Sequence, residues 1–550
     1  MNDKIAALQK RLDQLKTARS TVQDVWRECY RYSYPLRGAL FESGNLSTTE
    51  STTTSSAGYW KSNLFDSTAT DAVRVLAAAL VSGTTPANSR WFGMEVEDGD
   101  FAAKQWLDEA ADVVWRLIHA SNFDAVAFES ALDLSVSGQF VMFVDRGQDG
   151  QALNFEQWPL AGCFFSCSRP EGIVDTVFRE FEITIGQAAA TYGAEMLSEA
   201  SRKKLRDGKA DDKLRVALAI YPRTDYVPGG RMARNLPFAS CHYEIEAKKL
   251  LRESGYREFP VLVPRWMKLP GSPYAFGPMF EALPDVKTLN EVVRYVMQNA
   301  ELAIAGMWGA RDDGVLQPRQ VKIGPRKIVV MRDKDSMWPL SPATKFDVAA
   351  IEIDRLQRSI RKVLMADQLT PQEGPAMTAT EIMVRVELIR QQLGPVYGRL
   401  QSEFLSPLVL RAFSLVFRSG REEPGPVYLP DPPRSLLQSI VNVRFSSPIA
   451  RSQKMADVQA MDRFENTLAA QAGATGRMDL LDMYDFDRAN RRRAELLNVP
   501  LDVVRDERAV LDLQKQRQGE QQRQQAMAAV ANTGEDGAQL AAAAQLSGVM

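Results

Sequence analysis

Two histidines, His119 and His242, and four cysteines, Cys29, Cys163, Cys167 and Cys241, are the residues whose types could hold a metal or supply a nucleophile. Cys163-x-x-x-Cys167 with Cys241-His242 offers four ligands of the kind that bind zinc, but the spacing fits no common zinc pattern. Cysteine beside Phe164-Phe165 reads as a small buried hydrophobe instead, so no metal is expected. The chain has no H-E-x-x-H, no G-x-S-x-G and no G-x-x-x-x-G-K-[ST], which leaves a zinc hydrolase, a serine hydrolase and a P-loop nucleotide site without their motifs. No carboxylate metal cluster stands out either, and the expectation is a non-enzymatic protein without a cofactor.

Charge placed for binding is what remains. Residues 306–340 carry seven Lys/Arg against four Asp/Glu, the basic ones being Arg311, Arg319, Lys322, Arg326, Lys327, Arg332 and Lys334. Such an excess is either a solvated face or a docking surface. Arg488 with Arg491-Arg492-Arg493 is a second cluster. It reads as a solvated helix face balanced by Asp482, Asp485, Asp487 and Glu495, or as a contact to nucleic-acid phosphates. Across all 550 residues the net charge is −2, so no bulk basic surface marks a sequence-specific DNA binder. A near-neutral wall instead suits DNA that must slide, because few counterions are released to hold it. Sparse cysteine points to a reducing compartment, the N-terminus has no apolar leader core, and no run of about 18 apolar residues predicts a membrane span.

The elements that must position these residues are mostly helical at both ends and mixed between. Ile5, Leu8, Leu12, Leu15, Val22, Val25 and Trp26 make one apolar stripe, which predicts a helix over 4–32. Ser47 to Ser56 is almost all Ser and Thr and reads as a loop. Asp66 or Ser67 can cap a helix of small residues that ends near Gly83. Helices are expected near 103–120, 122–138 and 184–207, and strands at 139–145, within 152–183 and within 213–268, giving an α+β region of about 270 residues. Val286, Leu289, Val293, Val296 and Ala300 predict a helix over 278–305, with Asp285 as its cap.

Ile353, Leu356, Ile360, Val363 and Leu364 predict another helix over 346–366, opened by a Thr344/Asp347 box. Between these two helices, Arg319–Ile323 and Lys327–Met331 look like strands split by Gly324-Pro325. After the Pro/Gly loop 367–377, Thr378-Ala-Thr-Glu381 opens a very long helix to about Ser419, with bends at Gly394-Pro395 and Pro407. Forty helical residues extend roughly 60 Å, more than a compact domain needs, which points to a large assembly. A Pro-rich connector, a strand at 440–445, helices at 450–472 and 478–513, and a Gln/Ala-rich tail follow, the tail running from helical to disordered.

Several stretches together resemble the head-to-tail connector (portal) proteins of short-tailed bacteriophages. They are Leu64-Phe-Asp-Ser-Thr-Ala-Thr-Asp-Ala72, Ser82-Gly-Thr-Thr-Pro-Ala-Asn-Ser-Arg-Trp-Phe92, Ser272-Pro-Tyr-Ala-Phe-Gly-Pro-Met-Phe through Asn290, Met377-Thr-Ala-Thr-Glu-Ile382 and Leu393-Gly-Pro-Val-Tyr-Gly-Arg-Leu400. Their order and spacing across 60–420 carry the likeness. The resemblance implies a portal fold: a mixed α/β wing (1–277), a two-helix stem (278–305 and 344–366), a small β-containing clip (306–343), a tunnel loop (367–377), a long kinked wing helix with its connector (378–429), a mostly helical crown (430–513) and the tail (514–550). It further implies a homo-oligomeric ring, commonly of twelve, at one capsid vertex of the virion, assembled in the host cytoplasm. Double-stranded DNA would pass through the channel without sequence specificity. The packaging terminase motor, the tail adaptor, and scaffold and major capsid proteins would be the partners. The seven clip basic residues would then be a docking surface. Gln368, Thr370, Gln372 and Glu373 would face DNA, and Arg488, Arg491, Arg492 and Arg493 would be a basic cluster in the crown. The competing readings are another virion component of tail or shell, or a packaging enzyme.

Overall fold

The computed structural model describes residues 2–43, 63–96, 101–147, 151–170, 172–230, 232–310 except 306, 337–340, 346–369, 394–421, 425–436, 441–445, 448–477, 483–497, 499, 510 and 512–520. The chain is α+β and divides into two compact units, residues 1–89 with 114–428, and residues 90–113 with 429–550.

In the first unit the helix Asn2–Arg31 lies on a five-stranded antiparallel sheet. The sheet runs in chain order: Cys163–Ser166, Thr176–Thr184, Lys213–Pro222, Phe238–Glu244 and Lys249–Tyr256. Neighbouring strands are joined in sequence, so the sheet is a meander. Ile5, Leu12 and Leu15 of the predicted stripe pack on Phe164, Phe178, Ala217, Ala219, Cys241, Tyr243 and Leu250. Each such aliphatic side chain, fully buried, stabilises by roughly 1.5–3 kcal/mol. Arg19 follows the stripe inward, donating to the carbonyls of Leu160 and Cys163 at 3.0 and 2.7 Å with its guanidinium 4.0 Å from the Phe164 ring.

Strand side chains alternate between faces, so Leu214, Val216 and Leu251 point the other way. There they meet Ile185, Ala188 and Leu197 from two short helices, Ile185–Tyr192 and Glu199–Arg206. The single helix expected over 184–207 is thus split, because Gly193 adopts φ 91°, outside the helical region. Thr184 and Gln187 form a reciprocal capping box at its start.

A smaller sheet orders Leu153–Gln157, Met142–Arg146 and Val261–Leu262. Beside it the helices Thr68–Thr84, Phe123–Ser137 and Pro278–Ala305 pack together. Thr68–Thr84 buries Ala69, Ala72, Val73, Leu76, Ala77 and Leu80, small residues that allow close approach. Its expected cap resolves in favour of Asp66, whose Oδ1 accepts from the Thr68 N–H at 2.8 Å, while Ser67 makes no side-chain cap bond. Gly138 ends Phe123–Ser137 with φ 80° and abuts the turn into Pro278–Ala305. A Cβ on Gly138 would lie 2.1 Å from the Phe276 carbonyl carbon, and one on Gly277 2.7 Å from the Gly138 nitrogen, so two glycines let these backbones touch.

In the second unit Phe92–Glu95 pairs antiparallel with Asn442–Phe445, with Phe92 opposite Phe445. Trp91 stacks on Phe445 at 6.4 Å, Arg90 binds Asp108 and Asp112 at 2.6 and 3.0 Å, and Trp106 donates to the Pro430 carbonyl at 3.2 Å. The helices Pro448–Thr475 and Phe486–Leu497 follow, with 512–520 also helical. The helix expected from 478 therefore starts at Phe486, and the first residues of the Gln-rich tail are helical.

Candidate functional site: an antiparallel helix pair and the C-terminal helices

Pro278–Ala305 and Phe346–Val363 pack as an antiparallel pair. Beyond one end of the pair, Met307–Ala310 and Met337–Leu340 form a two-stranded sheet with Met307 opposite Leu340. Toward the other end, Ser359 donates to Asp285 Oδ2 at 2.6 Å. Asp285 is therefore not the expected helix cap: the helix begins at Pro278, one residue past the glycine contact, and the Asp285 carboxylate is spent on the partner helix. Pro284, the seventh residue of this helix, has no N–H to give to the Phe280 carbonyl, so the helix runs past it with one i→i−4 bond missing.

The pair is tied to the segment before Thr68–Thr84 by side chains the sequence places in its resemblance motifs. Asn290 is buried; its Oδ1 accepts from the Phe65 N–H at 2.8 Å and its Nδ2 donates to the Asn63 carbonyl at 3.1 Å. Asp66 Oδ2 accepts from Gln357 at 2.8 Å. Leu64 to Ala72 and Ser272 to Asn290, far apart in sequence, thus meet. On the outside of the pair Tyr295, Val348 and Ile351 are 55, 62 and 70% exposed.

Phe346–Val363 ends three residues before the predicted boundary of 366. Met365 turns the chain at φ 59°, and Ala366–Leu369 is one more short helical turn. Gln368 is on that turn rather than in a loop. Thr370, Gln372 and Glu373 lie outside the described residues, as do Thr344, 378–393, Ser47 to Ser56, the strand pieces 319–323 and 327–331, and all seven basic residues Arg311, Arg319, Lys322, Arg326, Lys327, Arg332 and Lys334.

The basic residues expected as a cluster at 488–493 differ in their surroundings. Arg493 pairs with Asp462 at 3.0 Å and with Glu465, both on Pro448–Thr475. These two balancing charges come from a neighbouring helix. Asp485 instead caps Phe486–Leu497 by accepting from the Arg488 N–H at 2.9 Å, and Asp487 accepts from Gln514 at 3.1 Å. Arg488 and Arg492 are exposed.

The four residues weighed as zinc ligands are kept apart. Cys163 and Cys241 are buried, and burial pushes the Cys163 thiol up to about 12. His242, next in its strand, faces the opposite side, where the Tyr192 hydroxyl is 2.8 Å from its Nδ1. Burial, then Arg252 and Arg179, push His242 down to about 4. Among the described residues no three His, Cys, Asp or Glu gather as a metal site.

Sequence reasoning missed a set of ion pairs along Gly394–Arg418, one of them buried on both sides. This segment is one continuous helix through Pro407, with a π turn at Gln401–Leu405 just before the proline. The wider i→i+5 spacing accommodates the missing Pro407 N–H. Glu403 on that turn is buried and accepts from Arg265 Nε and NH2 at 3.0 and 2.6 Å and from the Arg265 backbone N–H at 3.1 Å. Arg411 binds Glu258 at 2.8 Å, and Arg418 holds the same carboxylate at 2.6 and 3.0 Å. Burial alone would raise the Glu258 carboxyl; the Arg418 and Arg411 guanidiniums outweigh it and bring it below its usual value. The helix is long and apolar enough to cross a membrane by composition, but 56% of its most apolar window is buried in the unit. The signal available beforehand was spacing: Glu403, Arg411 and Arg418 recur at eight and seven residues, on one helical face.

The fold and this arrangement define an α+β chain built around a helical hairpin that carries exposed apolar side chains. Residues 6–504 match the family described as Bacteriophage head to tail connecting protein, and the chain belongs to that family. It is a phage portal-type connector, structural and not enzymatic. The probable portal protein of Bordetella phage BPP-1 is 28% identical over 96% of this chain and 94% of its own length. The portal protein of Salmonella phage epsilon15 is 25% identical over 95% and 92%, and that of Escherichia phage T7 21% identical over 72% of each. A solved chain from the virion of a native gene transfer agent particle covers 80% of this chain and 93% of itself, at 12% identity and TM-score 0.32, a superposition too loose to carry an argument.

Proposed function

We propose that copies of this chain close into a ring at one capsid vertex, twelve in number, and that double-stranded DNA enters and leaves the head through the ring's channel. The observation that carries this reading is the helix pair Pro278–Ala305/Phe346–Val363 with the strand pair Met307–Ala310/Met337–Leu340 beyond its end. In this reading the helix pair is the stem, within 278–305 and 344–366. Residues 306–343 are the clip, and their basic residues dock first the terminase motor and then the tail adaptor. The five-stranded sheet and its helices belong to the wing, which faces scaffold and major capsid protein, and 430–513 form the crown. A symmetric ring turns each side chain into a belt of equivalent groups. Gln368, Thr370, Gln372 and Glu373 then make a polar to weakly anionic belt that binds phosphate poorly and lets DNA move.

Negative-stain microscopy of the purified protein should show rings with a central hole. Uniform monomers at high concentration, or filaments, overturn the reading. Deleting 368–376 should leave rings intact and impair DNA packaging or retention; normal packaging and retention in that deletion remove the role assigned to the loop.

A further inference from the structure

The helix pair carries two solvent-facing stripes that the described residues leave uncovered. Along Phe346–Val363, Val348, Ile351, Arg355, Arg358 and Lys362 recur at three- and four-residue steps, so they share one face. All five are exposed. Along Pro278–Ala305 the exposed or half-exposed stripe is Glu281, Pro284, Thr288, Glu291, Tyr295 and Gln298, at the same steps. One stripe is apolar at one end and basic at the other. The second is aromatic at one end and acidic at the other.

The levels of these groups follow from two fixed points. Met307 lies opposite Leu340, and Ser359 reaches Asp285, so residues at equal height along the antiparallel pair are set. Counting from these points at 1.5 Å per residue, Val348 and Ile351 stand at the height of Tyr295. Arg355 stands within a turn of Glu291, and Arg358 stands midway between Glu291 and Glu281, about 7.5 Å from each. Lys362 stands within a turn of Glu281. The apolar end of one stripe is therefore level with the aromatic end of the other, and the basic end with the acidic end.

We infer that the two stripes are the two halves of one head-to-tail contact between copies of this chain: the Val348–Lys362 face of one copy packs on the Glu281–Gln298 face of the next. The inference rests on the ring reading and names the surface through which the ring closes. A rotation about an axis running along the helix pair keeps heights fixed and brings unlike faces together, which is the heterologous contact a ring requires. Ile351 and Val348 then cover Tyr295, while Arg355 meets Glu291, Lys362 meets Glu281 and Arg358 lies between the two carboxylates. Arg355 pairs with Glu352, Arg358 with Asp354 and Glu291 with Arg294, each on its own helix, and Asp285 of the facing helix adds a weaker attraction to Arg355. Such exposed pairs are worth little, so exchanging them for contacts across copies is cheap.

The test uses the full chain with Cys167→Ser, since the other cysteines are buried. Tyr295→Cys with Ile351→Cys should give, on mild oxidation, a ladder of covalent oligomers ending in a closed ring. Glu281→Cys with Ile351→Cys, mismatched in height, should not. In the second arm, Arg358→Glu with Lys362→Glu should lower the assembled fraction more than about tenfold, since like charges across a contact cost several kcal/mol. Glu281→Arg with Glu291→Arg should do the same, and all four together should restore assembly. Rings that form without a ladder, with equal ladders from both cysteine pairs, or with no rescue by the fourfold variant overturn this contact and leave the ring standing. Monomers from the unaltered chain overturn both.

Discussion

The five-stranded sheet and the helix pair lie in the same unit and are both antiparallel, yet they close their surfaces differently. The sheet is covered by its own chain on both faces, by Ile5, Leu12 and Leu15 on one side and by Ile185, Ala188 and Leu197 on the other. Its titratable groups are sealed in with it, as Cys163 and His242 show. The pair is covered along one stripe, where Leu356, Ile360, Val286 and Leu289 are buried, and leaves Tyr295, Val348 and Ile351 in water. One region closes on its own chain; the other leaves apolar surface exposed, where the proposed contact between copies would form. Substitutions in the two should therefore separate stability from assembly.

The largest expected effect is in the body. Arg265→Met leaves the Glu403 carboxylate buried without its guanidinium and should cost about 3–5 kcal/mol in denaturant unfolding. A second change separates the regions by pH. His242 falls from 6.5 to about 4 in the folded chain, so between those values the unfolded chain binds the proton and the folded chain does not. Its contribution is full above pH 6.5 and is lost as pH falls toward 4, by at most about 3 kcal/mol. Unfolding midpoints across that range should slope for the native chain and flatten in His242→Gln.

Asn290→Ala, at the root of the helix pair, leaves the Phe65 N–H without its acceptor and should cost about 1–3 kcal/mol, read as a lower thermal midpoint. The smallest effect on the subunit is expected from Ile351→Ser, within about 0.5 kcal/mol as for most surface changes, yet sedimentation should show lost oligomers. A large stability loss from Ile351→Ser would erase the distinction between the two regions.

Periodicity made most of the helices legible beforehand. The stripe from Ile5 to Trp26 and that from Ile353 to Leu364 each reported a buried face directly, because burial follows the 3.6-residue repeat. The strands between 139 and 268 were legible as strands, though not their order in the sheet. Details that depend on a single residue's backbone were harder. Gly193 as a break and Met365 as a left-handed turn depend on local backbone geometry that composition does not report, and Asp285, read as a cap, lies inside a helix whose expected start at 278 holds. Charges were read least well. Arg493 was grouped with its sequence neighbours, but charge pairing is set by packing of whole helices, and Asp462 and Glu465 are about thirty residues upstream. Arg265 with Glu403 gave no local sign at all, being 138 positions apart.

The π turn at Gln401–Leu405 has a consequence for how this helix tolerates changes of length. A one-residue deletion in a buried helix ordinarily rotates everything on one side by about 100° and ruins its packing. A π turn is already one residue over-full, so removing Ser402 gives an ordinary helix a place to form. The segment from Ser406 stays fastened through Arg411 and Arg418, and the adjustment falls on the turns before Glu403. Among chains of this family, gaps in alignments should therefore gather at this turn rather than elsewhere in the helix, and they would mark changes of phase rather than loops.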